Sequence, residues 1–201
     1  MPARVILLTG PSGSGKSRLA AEAGLPILRL DDFYKEGDDP TLPTMDGEIG
    51  VDWDHPASWN AGSAVAAIEE LCATGRTDTP VYDISKSAIT GHEIFELKDE
   101  PLFIAEGIFA AEIVREVQAR GLLADALSLQ RGAGRTFRRR LLRDLREGRK
   151  APHVLVLRGW RLMQAEPAII KRQVALGAHA CGKREALARI AAAKEKTQLQ
   201  A

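Results

Sequence analysis

Residues 5–17, Val-Ile-Leu-Leu-Thr-Gly-Pro-Ser-Gly-Ser-Gly-Lys-Ser, constrain the chain most tightly. Val5 to Leu8 is a short apolar, β-prone run, long enough for a buried strand. Gly10, Gly13 and Gly15 punctuate a tight loop, and Lys16 and Ser17 open a helical stretch. The pattern is G-x-x-x-x-G-K-[ST] in strand–loop–helix context. Glycines let successive backbone N–H groups curl around a phosphate without Cβ clashes. The helix that follows adds its unsatisfied N–H groups and the positive end of its dipole. Gly10, Pro11, Ser12, Gly13, Ser14, Gly15, Lys16 and Ser17 therefore read as a phosphate cradle, with Lys16 on the outer phosphates and the Ser17 hydroxyl on Mg²⁺.

The rest of the chain predicts strands alternating with helices. A helix over 16–23 ends at Gly24 and Pro26, and a short strand over 27–30 runs into Asp31-Asp32-Phe33-Tyr34. Residues 36–50 read as a surface loop, and 57–73 as a helix. Residues 80–97 read as a hairpin with Thr90-Gly91 in its turn. Strands over 102–105 and 126–129 flank a helix over 110–120. A strongly basic helix is expected over 133–147, a helix over 155–172 broken near Pro167, a last strand over 174–180, and a terminal helix over 183–194. Such alternation implies a mostly parallel sheet covered on both faces, whose strands all end at the edge where ligands bind. At 201 residues the chain suits one domain, 1–201.

That edge should gather widely separated acids. Glu106 ends an apolar strand and precedes Gly107, as an acid that holds Mg²⁺ through its water shell would. Asp31, nearer the strand end than Asp32, suits the group that accepts a hydroxyl proton during phosphoryl transfer; a capping or turn pair is the alternative. Asp54 stands before His55-Pro56, where it either grips acceptor hydroxyls or caps a helix; His55 alone reads as structural. Arg135, Arg139, Arg143 and Arg146 fall on one helix face, which suits a lid over transition-state charge, a nucleic-acid contact or a solvated face. With 28 basic and 27 acidic residues the chain lacks the charge excess of a nucleic-acid or membrane-surface protein. Its start is too short for a signal peptide and its two cysteines lack metal-ligand spacing, so a reducing cytoplasm is expected. No Asn-Lys-x-Asp base-reading motif of a GTPase is present.

Taken together, Gly10–Ser17, Asp31-Asp-Phe-Tyr34, Asp52-Trp-Asp-His-Pro56, Tyr82-Asp83, Ile104-Ala-Glu-Gly107 and Arg139-Arg-Leu-Leu-Arg-Asp144 resemble the uridine–cytidine kinase family of P-loop kinases. The resemblance spans roughly residues 4–150. It implies a three-layer α/β sandwich with a substrate-covering hairpin over 80–97 and an Arg-rich lid over 131–150. It also implies MgATP as phosphoryl donor, a small-molecule acceptor, most readily uridine or cytidine, and a tendency to homo-oligomers. Position by position, Asp31 resembles the catalytic base, and Tyr34 and Tyr82 the pocket aromatics. Asp54 resembles the ribose-gripping carboxylate, Glu106 the metal-site acid, and Arg139 and Arg143 the lid arginines. The pattern departs at Ile84-Ser-Lys-Ser87, where the family carries an aromatic and a His–Ser pair. Lys86 is the residue of this run expected to touch the acceptor, and another small alcohol is the alternative substrate.

Overall fold

The computed structural model describes residues 2–45, 50–130 and 166–200. Five strands form one sheet in the order β2-β5-β1-β6-β7: β1 Arg4–Thr9, β2 Ile27–Arg29, β5 Leu102–Glu106, β6 Leu123–Leu129 and β7 His179–Cys181. Every pairing in it is parallel. The central strands are apolar on both faces, as parallel sheets require. Val5, Leu7, Phe103 and Ala105 face a core built with α2 (Ala61–Thr74) and α3 (Val114–Ala119). Ile6, Leu8, Leu102 and Ile104 face a second core with α1 (Lys16–Ala23) and the terminal helix α5 (Lys183–Gln200). The sheet is thus the middle layer of three, an α/β sandwich of the P-loop type. Residues 166–175 form a further helix, α4.

Boundaries depart from expectation where side chains override local pattern. The helix expected over 57–73 is two elements, because Trp59 leaves the helical course: its backbone is extended and its buried Nε1–H donates to Leu30 O at 2.7 Å. Asn60 then caps α2, its Oδ1 accepting from Ser63 N at 3.1 Å. The hairpin is longer than expected and turns elsewhere. Its strands are β3, Arg76–Asp83, and β4, Ala88–Glu96. Gly91 pairs with Val81 inside the ladder. The turn falls at 84–87 because Asp83 Oδ1 accepts from both the backbone N–H (2.9 Å) and the hydroxyl (2.6 Å) of Ser85, an Asx turn.

The helix expected over 110–120 begins as a 3₁₀ turn, Ala110–Ile113, before α3. Val174 lies in α4 rather than in a strand, and Gly177, at φ 111°, separates that helix from β7. The terminal helix continues to Gln200. The basic helix over 133–147, the lid over 131–150 and most of the helix over 155–172 lie outside the described residues. No described helix is long and apolar enough to cross a membrane.

Phe103 is fully buried in the centre of the sheet. Phe103→Ala should lower unfolding free energy by about 3–5 kcal/mol, read as a shifted midpoint in urea denaturation at unchanged slope.

Candidate active site

The phosphate loop follows β1 directly. Gly10, at φ 143°, lies so close to β6 that a Cβ there would stand 2.8 Å from Leu129 O, so only glycine fits. Gly13 and Gly15 also hold positive φ, 84° and 93°. Ser14 is fully buried, with no hydrogen-bond partner on its hydroxyl. Lys16 is buried too, its Nζ folded back to donate to Gly10 O at 3.0 Å.

Beside the loop, the Ser17 hydroxyl donates to Glu106 Oε1 at 2.6 Å, while Glu106 Oε2 is buried without a hydrogen bond. A buried carboxylate oxygen left unpaired is costly unless a cation or water completes it. Among the described residues no group of three His, Cys, Asp or Glu makes a ready-made metal site. A Mg²⁺ here would therefore rest on Ser17, Glu106 and the nucleotide's own phosphates, the oxygen-poor protein shell that Mg²⁺ accepts. The orphaned Glu106 and Ser14 oxygens, the glycine cradle and Lys16 all fit a nucleoside triphosphate with its metal.

Register brings Asp31 to the same edge. Arg29 of β2 and Leu8 of β1 both stand opposite Glu106 of β5. Asp31 sits two residues beyond Arg29, in the 3₁₀ turn Leu30–Phe33. Its Oδ1 accepts the Ile108 N–H at 3.1 Å. The approach is possible because residue 107 is glycine: a Cβ there would lie 2.8 Å from Leu30 Cβ and 2.9 Å from Asp31 Oδ1. Asp32 turns toward Arg29, 3.4 Å away. Burial raises its carboxyl above the ordinary 3.8, against the opposing pull of Arg29.

Aromatic rings wall the site on the hairpin side. Tyr34 packs at 5.9 Å on Trp53, 5.8 Å on Tyr82 and 5.9 Å on Phe109. Its hydroxyl donates to Trp53 O at 3.3 Å, and that of Tyr82 to Lys35 O at 3.0 Å. Burial, then the nearby charges of Asp31 and Asp54, hold the Tyr34 phenol well above the tyrosine range, so it stays neutral. Both carboxylates thus lie within electrostatic reach of one ring. His55 Nδ1 accepts from Ala57 N at 3.1 Å, a structural cap.

The structure therefore gathers the phosphate loop, Asp31, Glu106, Tyr34, Asp54 and Tyr82 around one sheet edge. Lys86 stands apart on the hairpin turn, exposed, its Nζ 3.5 Å from Asp83 Oδ2. Arg139 and Arg143 lie outside the described residues. Trp53 and Gly107 stand in the sequence motifs but received no role of their own there, and the Ile108 N–H and Phe109 were not singled out; the signal for Gly107 was its place directly after the strand-end acid.

Two outcomes follow from this geometry. Gly107→Ala should displace Asp31 and break its bond to the Ile108 N–H, read as faster hydrogen exchange at the Ile108 amide while circular dichroism stays native. For Asp32, the folded state keeps its proton to higher pH than the unfolded chain. Its contribution to stability therefore falls as pH rises from 3.8 through the folded value. Urea unfolding between about pH 4 and about pH 7 should show that decline in the wild type and a flatter profile in Asp32→Asn.

No protein-family model matches the chain. A uridine kinase of Clostridium novyi (strain NT) is 30% identical over 150 residues, covering 71% of this chain and 69% of that protein. Among solved structures, a protein of Silicibacter sp. TM1040 assigned as a fructose transport system kinase superposes with a TM-score of 0.56 at 18% identity, over 82% of this chain and 86% of its own. The D-glycerate 3-kinase of Cryptococcus neoformans var. grubii superposes with a TM-score of 0.52 at 14% identity, over 84% and 78%. These two structures share the fold. The glycine cradle, the acids at one sheet edge and the curated relative agree: the chain belongs to the uridine kinase family and is a P-loop kinase.

Proposed function

We propose that the protein transfers the γ-phosphoryl group of MgATP to a hydroxyl of a small-molecule acceptor, with a pyrimidine nucleoside such as uridine or cytidine as the first candidate. The observation that carries this reading is Asp31, oriented by the Ile108 N–H at the edge that also bears the phosphate loop. The loop amides and Lys16 hold the triphosphate. Ser17 and Glu106 hold Mg²⁺, which neutralises charge on the phosphates. With Oδ1 fixed by the amide, Asp31 turns its other oxygen to the acceptor and takes the hydroxyl proton. Asp54 grips neighbouring hydroxyls, while Tyr34 and Tyr82 flank the acceptor, with Lys86 at the rim. Arg139 and Arg143 cover the transferred group and exclude water, which limits wasteful ATP hydrolysis. The setting is cytoplasmic, with neither nucleic acid nor membrane as partner, the chain is a single kinase domain, and a homo-oligomer is consistent with the family.

One observation favours a second reading, a non-nucleoside alcohol as acceptor. At the hairpin tip the Ser85 hydroxyl is already bonded to Asp83 at 2.6 Å, Ser87 O accepts from Gly37 N at 2.7 Å, and Ile84 is 64% exposed. A site that distinguishes a base needs hydrogen-bonding groups directed at it.

ADP release from MgATP, measured against uridine, cytidine, pantothenate and simple sugars, tests both. Stimulation by the pyrimidine nucleosides alone supports the first reading, and stimulation by a sugar or pantothenate replaces it with the second. No stimulation with intact ATP binding would point to an acceptor outside this panel or to a non-catalytic ATP-binding module. Asp31→Asn should lower stimulated turnover about 10²-fold or more with ATP affinity within about twofold; unchanged turnover would remove Asp31 as the base.

A further inference from the structure

Helix α4 inverts the usual pattern. It exposes Val174 at 46% and buries Gln173 at 5%. A buried side-chain amide is tolerated only when its donors and acceptor are matched. The matches here lead to Asp31. Gln173 Oε1 accepts from the Ser128 hydroxyl at 2.7 Å, a residue with no exposure at all. Gln173 Nε2 faces Ile108 O at 3.5 Å, and Thr9 Oγ1 donates to the same carbonyl at 3.1 Å. A carbonyl can only accept, so the amide nitrogen must be the end that faces Ile108, and the oxygen the end that faces Ser128. On the other side of residue 108, its N–H holds Asp31 Oδ1.

Other contacts dock the helix without touching this peptide. Arg172 pairs with Glu112 at 3.0 Å, and Arg115 donates to Ala175 O at 3.0 Å. They help to dock α4 independently of the amide.

We infer that Gln173 is a positioning residue: through Ile108 O it holds the Ile108–Phe109 peptide unit, which joins at Ile108 Cα the Gly107–Ile108 unit whose N–H orients Asp31, and so steadies the aim of the base. This rests on Asp31 being the base, as proposed above. Gln173 would therefore act on the rate of proton transfer and leave binding of ATP and acceptor alone.

The test compares Gln173→Leu, the same-shaped Gln173→Glu, Arg172→Ala and Asp31→Asn. Gln173→Glu keeps an acceptor for Ser128 and, in its ionised form, loses the donor to Ile108, so it is read at a pH high enough to ionise a buried carboxyl; Arg172→Ala weakens docking and keeps the amide. Two quantities are read: hydrogen exchange at the Ile108 amide without nucleotide, and turnover with the acceptor that stimulates ADP release, or unstimulated ADP release where none does. Both Gln173 variants should speed Ile108 exchange and lower kcat about fivefold, the worth of one neutral hydrogen bond, with KM values within about twofold. Arg172→Ala should stay within about twofold of wild type in both. Wild-type exchange in both Gln173 variants, or an equal kcat loss in Arg172→Ala, would overturn the inference. If Asp31→Asn is inactive and the Gln173 variants turn over normally, the fault lies with Gln173 alone. If Asp31→Asn turns over normally, the base reading fails and takes the inference with it.

Discussion

Backbone pairing of β5 with β1 on one side and β2 on the other is the constraint on which the site depends. Parallel ladders leave no freedom over which ends lie together. Once Glu106 is in register with Leu8 and Arg29, the phosphate loop, the acid at 106 and the turn bearing Asp31 must emerge side by side. Two close approaches then set the spacing, Gly10 against Leu129 O and Gly107 against Leu30 and Asp31. Neither position admits a Cβ, so both are fixed by the geometry of the edge and not by chain flexibility.

Much of this was legible in the sequence because its signals are local. The apolar runs of β1 and β5 are continuous, as strands buried on both faces must be, and the glycine spacing of residues 10–17 has one physical use. The position of Asp31 could be read for the same reason: it follows a strand. What escaped was set by contacts distant in sequence. Trp59 breaks an otherwise helical stretch to reach Leu30 O, and Asp83 places the hairpin turn at residues 84–87, upstream of the glycine that pattern alone would choose. The partners of Asp31 were unreadable in kind, since a backbone N–H carries no sequence signature. Trp53 and Phe109, far apart in sequence, both pack on the ring of Tyr34.

The aromatic wall has an electrostatic role besides its shape. Tyr34 lies near two carboxylates in a low-dielectric setting, and its neutral phenol adds no third negative charge.

The hairpin is a sheet of its own, separate from the five-stranded one. At its base Leu97 N donates to Gly75 O at 2.8 Å, and at its tip Gly37 N donates to Ser87 O. Glu36 Oε1 also accepts the Ile89 N–H at 3.4 Å. Residues 84–87 can thus be exchanged without disturbing any ladder that supports the phosphate loop. Sequence drift at the tip is therefore insulated from the ladders that carry the phosphate loop, and the two parts of one scaffold can diverge at different rates.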